Sequence, residues 1–464
     1  MANGYRRDSI FWALTLIAIG GLFLYTNFHH DARPWHIIAK YWPLLIIFWG
    51  LSKLYAYFKF RKNPNVPPGP FITGGEIVGL VFLLLIGTAI SSGVRHSDRF
   101  FRGQGIHIGD GDNDETLSFE GLFGNPYDFT EQVQADAKPK AVIAIPDVKG
   151  NIKVIGWDQP KIQVQIKQRV YADNENDAKA RADLNKTTIS EEGGKYKIVT
   201  NRQDASNKGY RFNVDLEISV PKDSQVTTNQ MRGDVSFSGL VGDQSIDSIR
   251  GDVEVAQIVG NVVIAMRRGD LKVNDVTGNV DLSGRGNDVS LIKVGGNGSV
   301  KGEFFSVDFQ DVKKQVRFLS SRTDLLADKL EGAVRLESGN LTVRNVKGAF
   351  TVKTSAKDIT LEDVLGPVRV DNNRGNVQYR ASLPPKTDID IRTQSSSIDF
   401  GLPRNSSFQI DGKTKSGDIE TDFKVPTLKV TQDQPTNEIT GSVGKGGPHV
   451  RLETTYGNLK VAQL

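Results

Sequence analysis

GDVSFSGLV (233–241), GDQSIDSIR (242–250), GDVEVAQIV (251–259), GNVVIAMRR (260–268), GDLKVNDVT (269–277) and GNVDLSGRG (278–286) lie end to end as six nine-residue units. Each opens with Gly followed by Asp or Asn. The fifth position is always apolar: Phe237, Ile246, Val255, Ile264, Val273, Leu282. The third is apolar in five of the six, with Gln244 the exception. Two apolar residues spaced by two place both side chains on one face of a short strand. Gly-Asp and Gly-Asn are turn dipeptides, because Gly adopts positive φ freely and Asx bonds its own backbone. One unit is therefore a short strand plus a corner, and it buries almost nothing alone. Stacked units bury a continuous apolar stripe.

A second run points to a longer period. Units beginning near Gly339, Gly348, Lys357, Gly366 and Gly375 carry Val346, Ser355, Val364 and Asn373 at the eighth position, alternately apolar and polar. Two unequal units then make one coil of about 18 residues. The expected fold is all-β: a single-stranded parallel β-solenoid, or β-helix, with two main strands per turn. Between Asn287 and Ser338 the period slips, which reads as irregular coils within one domain.

Three stretches near the amino terminus differ in kind. Residues 10–28 and 77–94 carry no charge, and residues 35–58 have a long apolar centre with aromatic ends. Each reaches roughly 27 Å or more as helix, enough to span a bilayer core. About three transmembrane helices are expected over 1–94. Arg6, Arg7, Lys59, Arg61 and Lys62 mark the cytoplasmic side, so residues 95–464 are expected outside the cytoplasm. Arg95, Arg99 and Arg102 count weakly against this. The Gly- and Asp-rich residues 95–135 read as a linker, and 136–464 as the solenoid domain. Within it, NENDAKARADLNK reads as a short helix capping an open end, which would otherwise expose unpaired edge and core.

The chain has no cysteine, which excludes disulfides and thiolate chemistry. A net charge of +4 on 464 residues is too weak to argue for nucleic acid. Asp110, Asp112 and Asp114 alternate as in a calcium loop, but Glu115 and Gly121 break the pattern. The repeat lacks the extra glycines and the sixth-position Asp of a calcium β-roll. Carboxylates are spread one per corner, and the histidines are scattered, so neither a hydrolase dyad nor a Ser-His-Asp set stands out. No enzyme activity and no cofactor are expected.

Three Arg-Gly-Asp triplets fall at one repeat corner: Arg232-Gly233-Asp234, Arg250-Gly251-Asp252 and Arg268-Gly269-Asp270. Repeat geometry accounts for Gly and Asp. The arginines would stack about 4.8 Å apart per coil. They form the candidate docking edge, for anionic glycan or lipid head groups, or solvated charge balanced by neighbouring Asp.

Two resemblances follow. GNIKVIGWDQPKIQVQ, LEISVPKDSQVTTNQMRGDVSF and GKGGPHVRLETTYGNLKV make residues 136–464 resemble the bacterial adhesin-like β-solenoid family, a domain of unassigned biochemical activity. GGLFLYTNF followed by YWPLLIIFWGLSKL makes residues 10–58 resemble the membrane module of Lia-type envelope-stress proteins. The resemblance implies a membrane-anchored envelope protein that binds or scaffolds, working through a protein partner in stress sensing, or as an adhesin or glycan binder. It carries no catalytic residues over.

Overall fold

Apolar residues recur on one face of nearly every strand, and the coils that stack them are set by register. A computed structural model describes residues 125–200, 212–433 and 435–464. The chain divides into two compact units, residues 1–126 with 171–175, and residues 127–170 with 176–464. The second unit carries the β architecture. The expected spans 10–28, 35–58 and 77–94, and residues 95–124 of the expected linker, lie outside the described residues. Asn125–Asp136 is a strand, so the β structure starts before the end of that linker stretch. Among the described residues, no helix is long and apolar enough to cross a membrane.

The 18-residue coil is explicit in the pairing. Val253–Val259 lies parallel between Val235–Val241 and Leu271–Val276, with Val253 opposite Val235 on one side and Leu271 on the other. Gln244–Ser248 lies parallel between Gln225–Arg232 and Val262–Met266 on the opposite sheet. The chain thus alternates between two sheets, one strand each per coil. Inside run columns such as Phe237, Val255, Val273, Leu291 and Phe309, all fully buried. Each such side chain contributes about 1.5–3 kcal/mol over its exposed state.

The two halves of the coil are unequal for a backbone reason. Gly239, Gln257, Asp275, Lys293, Asp311 and Lys329 all have φ between 55° and 67°, and they are spaced 18 apart. A left-handed residue interrupts the in-out alternation, so the next side chain turns inward again: Leu240, Ile258, Val276, Val294, Val312 and Leu330 are all buried. The apolar eighth position follows the left-handed seventh, and this explains the alternation at Val346 and Val364, preceded by Asn345 and Asp363. No β-branched residue occupies these corners, as the steric rule demands. Gln257→Gly should raise the stability of the domain by up to about 1 kcal/mol, and Gln257→Val should lower it by about 1–2 kcal/mol, read by chemical denaturation.

The expectation of a parallel-only solenoid is corrected. The 18-residue parallel register persists through Val294 opposite Val312, well into the stretch where the period is expected to slip. Then Thr323–Leu336 runs antiparallel to Gly298–Leu319 on one side. On the other it runs antiparallel to Asn340–Val346 and Phe350–Ala356. One coil is wound backwards. Reversal leaves the two-residue alternation intact, so the irregular spacing was its only trace. Parallel coils then resume to Ile398–Leu402.

Both ends depart from sequential stacking. Val142–Lys149 lies between Lys195–Thr200 and Gln225–Arg232, and Ile152–Trp157 between Phe212–Pro221 and Val235–Val241. At the other end His449–Thr454 lies between Ile389–Thr393 and Phe408–Thr414. Leu459–Gln463 lies between Ile398–Leu402 and Ile419–Thr421. Antiparallel strands cover the outermost coils: Lys161–Ala172 and Thr187–Glu192 at one end, Thr436–Val443 and Leu428–Asp433 at the other. The expected helix is present at Glu175–Ala182, with Ala178 and Ala182 buried and the Ala182 carbonyl accepting from Gln168 Nε2 at 3.2 Å. Together these cover edges that would otherwise offer unpaired backbone.

Candidate functional site

The corner preceding the Val253 strand and its equivalents carries the charged residues of interest. Gly251 has φ 136°, and a methyl added there would overlap the carbonyl oxygen of Gly233 one coil away. Gly269 stands in the same relation to Gly251. The glycines allow the coils to approach, and the corner amides then pair between coils: Gly233 N donates to Arg250 O at 2.9 Å, and Gly251 N to Arg268 O at 3.2 Å.

The carbonyl oxygens of Arg250 and Arg268 thus place the arginines of the sequence-predicted edge on one line. Arg250 and Arg268 are exposed and Arg232 is half-buried. Neither Arg250 nor Arg268 has an ion-pair partner among the described residues.

Two residues further on, the Asp side chains form their own column. Asp252 N donates to Asp234 Oδ1 at 2.9 Å and Asp270 N to Asp252 Oδ1 at 2.9 Å. The column extends to Asp288 in one direction and, through Asn151, to Asp215 in the other. Each carboxylate gives one oxygen to the next coil and keeps the other. At the opposite corner the equivalent column is mostly neutral: Asp243, Asn261, Asn279 and Asn297 bond in the same way. Asn therefore serves the ladder as well as Asp does, and the acidic charge is additional to what the backbone needs.

A groove of about 680 Å³ opens beside this column. It is lined by seven acidic side chains (Asp234, Asp252, Glu254, Asp270, Asp288, Asp308 and Glu337) against two basic ones, Lys272 and Arg335. Among the described residues, no three His, Asp or Glu side chains gather as metal ligands.

The same edge continues beyond the three triplets. Arg374 occupies the arginine position of its coil, since Lys357 N donates to Arg374 O at 3.0 Å. Lys357 stands where the repeat has Gly. Its ammonium turns back to the carbonyls of Glu337 and Ser338, and burial lowers its pKa while Glu337 opposes that shift. Tyr456, 60% exposed, precedes the corner Gly457 in its coil, and Phe305, 70% exposed, stands one coil beyond Asn287. Sequence reasoning assigned none of these four to the docking edge. Arg374-Gly375-Asn376 and Tyr456-Gly457-Asn458 were legible as corner signatures, but only register puts them on this edge.

Gln244, the exception in the repeat, is structural. Its side-chain oxygen accepts from Val226 N at 3.0 Å, and its amide donates to Ser224 O at 3.1 Å and Gly242 O at 2.9 Å. It is buried and ties three corner groups together.

Two family models match the chain. The Toastrack DUF4097 model matches residues 152–462, and the LiaI-LiaF-like transmembrane region matches residues 10–54. No curated protein matches. Among solved structures, the chain is similar to a candidate cell adhesion protein from Clostridium sporogenes ATCC 15579, at 8% identity and a TM-score of 0.17, covering 73% of this chain and 100% of that one. A candidate adhesin from Bacteroides fragilis NCTC 9343 is 13% identical with a TM-score of 0.18, covering 72% and 97%. A candidate lipid-binding protein from Parabacteroides distasonis ATCC 8503 is 10% identical with a TM-score of 0.22, covering 74% and 97%.

Proposed function

This chain belongs to the Toastrack DUF4097 family, and from that premise we propose a bacterial envelope protein, anchored in the cytoplasmic membrane, whose β-domain binds or scaffolds outside the cytoplasm and catalyses nothing. The match of residues 10–54 to a LiaI-LiaF-like transmembrane region supports the anchoring, and with it a part in envelope-stress sensing through a protein partner. The single observation that carries the binding role is the corner described above. Exposed Arg250 and Arg268 and the free oxygens of four stacked carboxylates stand in rows along a rigid edge, without internal ion pairs.

Orientation is tested with protease on spheroplasts. Arg6, Arg7, Lys59, Arg61 and Lys62 support an outward β-domain, which should then be removed without lysis. Full protection until lysis reverses the orientation. Crosslinking in native membranes followed by pull-down of the chain tests the partner. Recovery of the chain with no envelope protein attached removes the scaffolding reading.

One observation favours a second reading, a glycan-binding adhesin. Phe305 and Tyr456 are exposed aromatics on the same edge, and aromatic faces suit sugar rings. Phe305→Ala with Tyr456→Ala should then abolish retention on immobilised cell-wall glycan. Retention that is absent in the parent, or unchanged in the double variant, dismisses that reading.

A further inference from the structure

The two charged rows are parallel, equally spaced and opposite in sign. This rests on the reading of the domain as a binding module and names one partner for it: we propose that the Arg-Gly-Asp edge is the interface between two copies of this chain, paired side by side with their coils running in the same direction.

The argument starts from what the edge disfavours. An anionic polymer laid along Arg232, Arg250 and Arg268 would lie beside Asp234, Asp252 and Asp270, two residues away in every coil. Like charges at that separation repel it along its whole length. A surface that carries both signs in parallel rows is instead complementary to itself.

Symmetry then selects one arrangement. Arg lies on the side of the corner toward the Gln244–Ser248 sheet, and Asp on the side toward the Val253–Val259 sheet. Rotation by 180° about an axis parallel to the solenoid brings the Arg row of each copy opposite the Asp row of the other. Turning one copy end for end would set Arg against Arg. The favoured contact is therefore isologous, as two-fold interfaces are. It puts the amino-terminal ends of both β-domains on the same side, which suits two chains anchored in one membrane.

Spacing adds register. Both copies have the same coil repeat, so when Arg250 meets Asp252 of the second copy, Arg268 meets Asp270. The groove beside the Asp column is open to receive guanidinium groups. Each Asp offers the oxygen that its ladder bond leaves free. Single exposed ion pairs contribute little. Four in register, from Arg250 and Arg268 of each copy, act together between chains held in one membrane at high effective concentration.

The test uses the full chain in detergent micelles, followed by sedimentation at low and high salt. A dimer is expected at about 50 mM salt, with its dissociation constant at least about tenfold higher at about 500 mM. Two triple variants separate the rows. Changing Arg232, Arg250 and Arg268 to Gln removes the cations. Changing Asp234, Asp252 and Asp270 to Asn removes the carboxylates while keeping the ladder acceptor, as Asn261, Asn279 and Asn297 already do. Each should weaken the dimer at least about tenfold with unchanged circular dichroism. A chain that is monomeric at low salt overturns the proposal. So does a dimer indifferent to either variant, because both rows are required. If the Asn variant is monomeric yet still captures envelope proteins in the native-membrane crosslinking, self-association and partner binding are distinct. A monomeric parent that captures those proteins likewise sinks only the dimer.

Discussion

Val253→Asp should lower the stability of the β-domain by roughly 3–5 kcal/mol, whereas Glu254→Gln should stay within about 0.5 kcal/mol of the parent. Val253 is 1% exposed and sits between Val235 and Leu271, so the new carboxylate would enter an apolar column without a partner. It must either remain charged at a high desolvation cost or take up a proton. Glu254 points outward into the groove, and its amide analogue keeps its shape. Coils touch mainly their neighbours, so the damage should concentrate around residues 233–276. Hydrogen exchange should rise there before it rises at Val368 or Val377. Equal damage from the two substitutions would show that the inward register is wrong, and a uniform rise in exchange would show that the stack melts as one unit.

Gly251→Ala is expected to be comparably severe, although it adds a single methyl group. Its φ of 136° lies where only glycine is comfortable, and the added carbon would strike the Gly233 carbonyl. The coils must separate, and the bonds from Gly233 N to Arg250 O and from Asp252 N to Asp234 Oδ1 must lengthen with them. Backbone strain alone contributes about 1–3 kcal/mol, and broken inter-coil bonds add to it. Gly446→Ala provides the contrast. It too has positive φ, at 79°, but only the end of the Gln409 side chain approaches it, at 3.8 Å. Urea midpoints of the two variants should differ clearly. Matching midpoints would mean that φ strain alone sets the cost and that close stacking contributes nothing.

Much of this architecture was legible because it is written in local chemistry. Gly-Asx corners and third and fifth apolar positions require no knowledge of distant residues and give the nine-residue unit; the alternating eighth position gives the 18-residue coil, whose register sets Val253 between Val235 and Leu271. The left-handed corner at Gln257 was half visible, through the apolar eighth position that it creates. The backward coil Thr323–Leu336 was not, since parallel and antiparallel strands share the same alternation. From sequence the edge reads as a row of arginines that either meets an anionic partner or is solvated and balanced by neighbouring Asp. What sequence does not show is how those Asp are held: the inter-coil bonds of Asp234, Asp252 and Asp270 make them a column of their own. Phe305 carries no repeat signature at all, and register alone places it there.

The position of His449–Thr454 and Leu459–Gln463 bears on how the domain is made. These strands leave the ribosome after both of the coils they separate. Until they arrive, Ile389–Leu402 and Phe408–Thr421 cannot pair with one another through them, and Ile391, Phe400 and Ile410 lack their neighbours. A chain made amino end first must therefore keep an unfilled slot between these coils until its later strands follow. A product cut short before Pro448 keeps that slot for good, with apolar side chains and bare backbone on display. Insertion of His449–Thr454 and Leu459–Gln463 is thus the step that removes this exposed surface.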